Sequence, residues 1–177
     1  GLAVALALQD TLSNLFAGVY IMMSQQLRVG DYVKLESGGE GYVVDIGWRS
    51  TTIRMLPDNL LIVPNSTISQ AVITNFHLPS KELAVLVEVS VDYGSDLERV
   101  ERVTVEVGKD VMATVTGGVP SFEPLVRYHT FGEAGLQFTA VLRAKEFVDQ
   151  YLIKHEFIKR LHRRYRQDGI AFPPSAR

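Results

Sequence analysis

The chain has 177 residues, of which 46% are hydrophobic and 21% charged, and its formal net charge is −2. This length suffices for one or two domains with hydrophobic cores. The absence of cysteine excludes a disulfide framework, thiolate catalysis and cysteine-ligated zinc.

The N-terminal segment is an apolar run in which Asp10 is the single charged residue before Arg28. As a helix, residues 1–23 would reach about 34 Å, close to the thickness of a bilayer's hydrocarbon core. Small residues between the leucines would let helix backbones approach closely in lipid. The segment lacks the basic start and the cleavage site of a secretory signal peptide. The sequence therefore predicts a membrane helix packed against other helices. The start on Gly rather than Met indicates a chain cut out of a longer one, in which case any earlier membrane spans lie outside this sequence.

A polar cluster interrupts this segment at residues 9–14. Apolar residues continue at helical spacing on both sides of the cluster, which favours one helix over 2–9 and a second over about 11–26. The bend between them would lie near the cluster or at Gly18. The alternative is a single straight buried helix.

After Arg28 the period changes to that of short strands. Turn residues separate five of them, predicted at 31–35, 40–46, 51–55, 60–63 and 71–75. Five short strands over this length indicate a small antiparallel barrel or sandwich. A short helical turn at about 65–69, capped by Asn65, is expected after the fourth strand.

A boundary is expected at residues 77–80, after which the elements lengthen. Strands are predicted at 83–91, 124–130 and 136–144, and helices at 96–115 and about 147–167. Ser95 followed by Glu98 has the spacing of a capping box for the first of these helices. The order β-α-β-β-α predicts an α+β sandwich, followed from residue 170 by an extended tail.

No residue pattern indicates catalysis, a metal site or a cofactor. The four histidines lack metal-ligand spacing, and the glycines at 38–41 form a hairpin turn rather than a phosphate loop. The basic run over 159–166 is interpreted as a solvated helix face. Residues 28–80 contain four basic and five acidic residues, which gives no electrostatic footprint for nucleic acid. We therefore expect neither an enzyme nor a nucleic-acid partner.

Several motifs, in this order, resemble the pore-lining helix and cytoplasmic domains of the small-conductance mechanosensitive channel (MscS) family. The resemblance covers nearly the whole chain and is closer to the larger, multi-helix members. The motifs are Gly1-Leu-Ala-Val-Ala-Leu-Ala-Leu-Gln9, Leu12-Ser-Asn-Leu15, Ala17-Gly-Val19, Arg28-Val-Gly-Asp-Tyr-Val33, Gly47-Trp-Arg-Ser-Thr-Thr-Ile53, Val63-Pro-Asn-Ser66, Thr74-Asn-Phe76 and Gly169-Ile-Ala-Phe-Pro173.

The resemblance implies a homoheptamer in the inner membrane that opens under membrane tension and releases ions and solutes on hypo-osmotic shock. It implies four parts: a pore-lining transmembrane helix over 1–27, kinked near 10–18, a Sm-like β-barrel domain over 28–78, an α+β domain over 79–169, and the start of an extended tail over 170–177. The last three parts would be cytoplasmic, and the full-length protein would cross the membrane several times.

Residue roles carried over by position follow the same resemblance. Leu2 and Leu6 match the leucine rings that close the pore, and rings of such side chains dewet a narrow tube. The other matched roles are pore lining and selectivity by Gln9 and Asp10, helix packing by Ala3, Ala5 and Ala7, a hinge at Gly18, and packing that transmits tension at Leu8 and Leu12.

Asp10 departs from the family prototype, which has a kink glycine at this position. A bend would then depend on Asp10 as a cap of a second helix, or on Gly18. A ring of Asp10 carboxylates would favour cations. The alternative from another functional class is a soluble module, a Sm-like barrel with an α+β partner that binds nucleic acid or protein, with the first helix docked on it.

Overall fold

The structure is a computed structural model that describes residues 1–174. The chain divides into two compact units, the first Gly1–Ser80 and the second from Lys81 onward. Each unit has its own hydrophobic core. The predicted class, an apolar helix followed by a β domain and an α+β domain, is confirmed.

The first element is one uninterrupted helix, α1 (Leu2–Ser24). The prediction of two helices is therefore wrong for this conformation. Asp10 lies inside α1 and caps nothing. The polar side chains of residues 9–13 are accommodated because they are exposed, whereas the Asn14 side chain is buried. The helix ends at Gln25, which adopts the left-handed conformation that commonly terminates helices (φ 57°).

Five short strands follow in the first unit, close to their predicted bounds. They are β1 (Tyr32–Leu35), β2 (Glu40–Ile46), β3 (Ser50–Met55), β4 (Leu60–Pro64) and β5 (Ile73–Asn75). All neighbours are antiparallel, in the order β4-β3-β2-β1-β5. The predicted barrel is not closed: among the described residues β4 pairs only with β3 and β5 only with β1, which leaves an open sheet with two edges.

A short helix, α2 (Asn65–Gln70), connects β4 to β5, as predicted. Its predicted cap is wrong. Asn65 is the first residue of the helix rather than its cap, and its buried side chain forms hydrogen bonds with Thr51 and Gly47. Ile21 of α1 and Ile68 of α2 share the core of this unit with Val33, Val43 and Ile53 of the sheet.

The second unit has the predicted β-α-β-β-α order. Its three strands are β6 (Leu83–Val91), β7 (Leu125–Phe131) and β8 (Leu136–Ala144), paired in the antiparallel order β6-β8-β7. Two helices, α3 (Leu97–Thr114) and α4 (Asp149–Asp168), pack their apolar sides on the sheet. Alternate strand residues point into this core, as expected for a sheet covered on one face.

The ends of these helices follow ordinary capping chemistry with one correction. The residue that caps α3 is Asp96, whose carboxylate accepts from the Arg99 N–H at 3.1 Å, rather than Ser95. Helix α4 ends as predicted at Gly169, which has φ 68°. The following tail runs without regular structure to residue 174, and the rest of the predicted tail lies outside the described residues.

Candidate functional site

The N-terminal half of α1 has an apolar surface that the chain itself leaves uncovered. All of residues 1–13 are exposed, with Leu2 at 79% and Leu6 at 63%. Helix α1 is long and apolar enough to cross a membrane by length and composition, and 17% of its most apolar window is buried. Thirteen consecutive exposed residues in such a helix indicate a surface that another molecule or a bilayer covers.

The predicted site residues occupy distinct sides of this helix. At about 100° per residue, Leu2, Leu6 and Gln9 share one side, and Asp10 lies about 40° farther around. Ala3 and Ala7 flank that side in one direction, and Ala5 flanks it in the other. The remaining pair, Leu8 and Leu12, is displaced by roughly 100–140° from it and faces a different environment.

The second half of α1 is anchored on its own unit, and Gly18 is part of the anchor. A Cβ at Gly18 would lie 2.6 Å from Asn65 Nδ2, 3.2 Å from the Gly47 carbonyl oxygen and 3.4 Å from that of Trp48. These distances leave no room for a side chain. In this structure Gly18 therefore permits close approach of α1 to the β2–β3 turn. Gly18 itself lies within the regular part of the helix.

Asn65 organises this contact from the start of α2. Its Oδ1 accepts from the Thr51 hydroxyl at 2.9 Å, and its Nδ2 donates to the Gly47 carbonyl at 2.8 Å. Its backbone N–H donates to the Arg49 carbonyl at 2.9 Å. Asn65 and Thr51 are fully buried, so these bonds are shielded from water.

Asn14, which the sequence interpretation did not single out, joins the same network. This side chain is 8% exposed, and its Oδ1 accepts from the Ser66 N–H at 3.0 Å, which supplies α2 with a cap from α1. Its Nδ2 donates to the Asp10 carbonyl at 3.0 Å. The available signal was a polar amide at the spacing of the buried residues Gly18 and Ile21, at i, i+4 and i+7.

A second attachment fixes the linker after α1. Asn75 Nδ2 donates to the Gln26 carbonyl at 3.0 Å and to Asp31 Oδ2 at 2.8 Å. The Arg28 N–H donates to the same carboxylate oxygen at 3.1 Å. Because Asp31 is buried and Asn75 belongs to β5, the linker is tied to the sheet edge.

The described part of the second unit contains ion pairs between its two helices and buried hydroxyl groups. Two basic residues of α4 pair with acids of α3, with Arg160 2.7 Å from Asp110 and Arg164 2.8 Å from Glu106. This pairing agrees with the interpretation of the run as a charged helix face. No group of three or more metal-ligating side chains occurs in residues 1–174.

Tyr165 and Glu88 are two of the groups in the second unit whose pKa values are shifted. Burial raises the pKa of Tyr165 to about 12, and the hydrogen bond to Thr104 works in the opposite direction. The Thr139 hydroxyl lowers the pKa of Glu88, with a further contribution from the bond and charge of His129. The Glu88 and His129 side chains are exposed, so their pair adds little to stability.

Comparisons with known proteins match both the sequence and the fold. A family model described as the mechanosensitive ion channel β-domain matches residues 10–78. The small-conductance mechanosensitive channel MscMJ of Methanocaldococcus jannaschii is 33% identical over 98% of this chain and 49% of its own length. The small-conductance mechanosensitive channel of Helicobacter pylori is 29% identical over 98% of this chain and 61% of its own length.

The fold comparison extends over the whole chain. The crystal structure of Helicobacter pylori MscS in its closed state superposes with a TM-score of 0.81 at 27% identity, covering 100% of this chain and 68% of that one. The chain thus spans about half the length of MscMJ and roughly two thirds of the solved channel subunit. The apolar helix, the open five-stranded sheet and the α+β unit agree with the sequence relationship: the chain belongs to the MscS family of mechanosensitive channels.

Proposed function

We propose that this chain is the pore helix and cytoplasmic part of a homoheptameric channel subunit that opens under membrane tension and releases ions and solutes after hypo-osmotic shock. The observation that carries the proposal is the contrast within α1. Its first thirteen residues are all exposed and the first eight are apolar, whereas Asn14, Gly18 and Ile21 are buried on the same unit. This contrast is expected of a helix whose first half lines a pore and whose second half is packed against the β domain.

The distribution of small residues on α1 supports a ring of helices. Ala3 and Ala7 lie on one flank of the Leu2–Leu6 side and Ala5 on the other, each roughly 100° away. In a ring, every helix contacts two neighbours through opposite flanks, and small residues permit close packing there. Leu2 and Leu6 would then point to the axis, where stacked isobutyl rings exclude water and stop conduction.

The open sheet supports association of identical copies. Edges β4 and β5 carry backbone groups that no strand of the described chain pairs, and Leu60 and Ile62 of β4 are 57% and 62% exposed. Head-to-tail contacts between unlike surfaces close into rings when the rotation permits. The count of seven follows from the family resemblance.

The remaining assignments complete the proposal. Gln9 and Asp10 line the inner end of the pore, and the residue 10 carboxylates favour cations. The exposed Leu8 and Leu12 pack on a preceding membrane helix and transmit tension. Residues 28–78 and 79–169, with the tail from 170, form a cytoplasmic vestibule beneath an inner membrane that the full-length protein crosses several times.

The soluble binding module is a weaker explanation of α1. That function requires the helix to dock on its own domain along its length, but its buried residues, Asn14, Gly18 and Ile21, all lie in its second half. An exposed apolar surface of this size would promote aggregation in a soluble monomer.

A matched pair of substitutions tests the channel proposal. The full-length protein, reconstituted in liposomes, is examined by patch-clamp under suction as parent, Leu6→Ser and Leu8→Ser. Leu6→Ser hydrates the constriction, so we expect a lower tension threshold. Leu8→Ser, about 160° away on the same helix, weakens packing on the preceding helix, so we expect a higher threshold.

Other outcomes would count against specific parts of the proposal. Equal shifts for the two variants would contradict the assignment of distinct helix sides. A parent protein without pressure-activated current would contradict the channel function itself. Native mass measurement of the detergent-extracted protein at other than seven subunits would contradict the heptamer.

A further inference from the structure

The turn between β2 and β3 presents two side chains that the channel assignments above do not use. Trp48 is the only tryptophan of the chain and is 59% exposed. Arg49 beside it is also exposed. Within residues 1–174 neither side chain makes a hydrogen bond, ion pair or ring contact. A large amphipathic ring left this open indicates a surface that meets another phase or molecule.

The backbone of this turn is held firmly. The Gly47 N–H donates to the Ser50 carbonyl at 2.9 Å, which closes the turn. Asn65 donates to the carbonyl of Gly47 at 2.8 Å from its side chain and to that of Arg49 at 2.9 Å from its backbone. The exposure of the two side chains is therefore built into the fold rather than produced by a loose loop.

The same contacts place the turn beside α1. The carbonyl oxygens of Gly47 and Trp48 face Gly18, at distances that exclude a Cβ there. Gly18 lies about 24 Å along the helix from Leu2, and the first cation of the chain, Arg28, follows ten residues later. If the exposed start of α1 occupies the hydrocarbon core, which is about 30 Å thick, Gly18 lies near its cytoplasmic border.

The chemistry of the pair suits that border. Tryptophan is enriched at membrane–water interfaces, where its ring meets acyl chains and its N–H meets polar groups. Arginine can extend its guanidinium to lipid phosphate while its methylenes remain in the apolar layer. Arg49 has no acidic partner in the described residues, so its charge is available to a phosphate.

We propose that Trp48 and Arg49 form a lipid anchor, in which the indole lies at the acyl–headgroup boundary and the guanidinium binds the phosphate of an anionic phospholipid. This inference rests on the membrane placement of α1 in the proposed function. It gives the sheet a contact with the bilayer that does not pass through α1. The side chains of the β2–β3 turn would then contact the bilayer, while its backbone carbonyls accept hydrogen bonds from Asn65.

Fluorescence of the full-length protein, with any tryptophan outside residues 1–177 replaced by phenylalanine so that Trp48 is the sole emitter, tests the anchor. The protein is reconstituted in phosphatidylcholine liposomes with or without phosphatidylglycerol, using lipids brominated near the headgroup end of the acyl chain, and Trp48→Phe supplies the blank. We expect blue-shifted emission and loss of roughly half of it to the brominated lipid, with little quenching by aqueous iodide. Phosphatidylglycerol should increase the bromine quenching, and Arg49→Gln should abolish that increase.

Two results would overturn the anchor. Efficient iodide quenching without bromine quenching would place Trp48 in water, and protection from both quenchers would place it against another copy of the chain. Pressure-activated current from the same liposomes tests the proposed function separately. Current without bromine quenching overturns only the anchor, and bromine quenching without current supports the anchor while contradicting the channel function.

Discussion

The contact between Gly18 and Asn65 is the sharpest packing constraint on α1, and Gly18→Ala tests it. In an ordinary helix interior, alanine is more favourable than glycine by about 0.8–1 kcal/mol. Here the new Cβ would lie 2.6 Å from Asn65 Nδ2. The Asn65 amide must move, which strains or breaks its bonds to Gly47 and Thr51. Leaving buried polar groups unsatisfied costs roughly 1–3 kcal/mol each.

The gain in helix propensity and the cost of the strained hydrogen bonds together predict a net loss of stability. Two strained buried bonds outweigh the gain in helix propensity, so Gly18→Ala should destabilise the protein by about 2 kcal/mol. For the unit Gly1–Ser80, which contains Gly18, that corresponds to a melting temperature lower by roughly 8–16 °C. Thermal unfolding of the full-length protein in detergent, followed by circular dichroism, measures the shift. Ser13→Ala, an exposed change in the same helix, is the control and should be nearly neutral.

A double-mutant cycle separates the collision from other effects. Asn65→Ala alone should cost about 3 kcal/mol through the loss of both buried bonds. In the double variant Gly18→Ala/Asn65→Ala the collision partner is gone, so Gly18→Ala should add almost nothing to the cost of Asn65→Ala, which is a coupling of about 2 kcal/mol. Additive losses, or a Gly18→Ala protein more stable than the parent, would refute the reasoning.

Three further predictions follow from single residues. Asn14→Ala leaves the Ser66 N–H without its acceptor and should cost about 1–2 kcal/mol of unfolding free energy, while Asn14→Asp, which keeps an acceptor, should cost less; equal losses would contradict the cap. Tyr165 ionises near pH 10 in an unfolded chain but at about 12 when folded, so its contribution to stability should be complete below pH 10 and fall by about 2–3 kcal/mol as pH rises through 12. Tyr165→Phe should flatten that alkaline decline in pH-dependent denaturation, and an unchanged slope would exclude Tyr165 as its source. Asp10→Asn should reduce any cation preference in single-channel reversal potentials, and an unaltered reversal potential would remove Asp10 from the selectivity assignment.

The local elements of this fold were readable from the sequence because their causes are local. Alternation and turn residues located all eight strands, and the apolar period located α3 and α4. The start of α3 was misplaced by one residue because Ser95 and Asp96 are both good caps, and only the chain geometry decides between them. Whether the five-stranded sheet closes depends on contacts between its two edges, which no local pattern encodes.

The anchorage of α1 was harder to predict because its partners are far apart in sequence. Asn14 and Ser66 are separated by 52 residues, and Asn65 and Gly47 by 18. Asparagine is a preferred helix N-cap, so local sequence favours that role for Asn65. The buried hydrogen bonds that it forms with Thr51 and Gly47 depend on residues distant in sequence. The hinge role of Gly18 comes from the family resemblance. A glycine in a helix permits either flexibility or close approach, and only the structure shows the neighbours that Gly18 approaches.

The same network offers α1 a way to bend that needs neither glycine nor proline. In an α-helix the backbone N–H of Asn14 donates to the Asp10 carbonyl, and here the Asn14 side chain donates to the same oxygen at 3.0 Å. If the helix opens at this turn, the amide keeps the carbonyl satisfied, and such side-chain insertions are a known cause of helix bending. The anchored part of α1 begins at the same residue, because Asn14 Oδ1 also accepts a hydrogen bond from the Ser66 N–H. A bend would therefore be concentrated between the exposed half of α1 and the anchored half. Asn14→Asp keeps the acceptor for Ser66 but lacks the donor for Asp10, so it should impair bending more than anchorage.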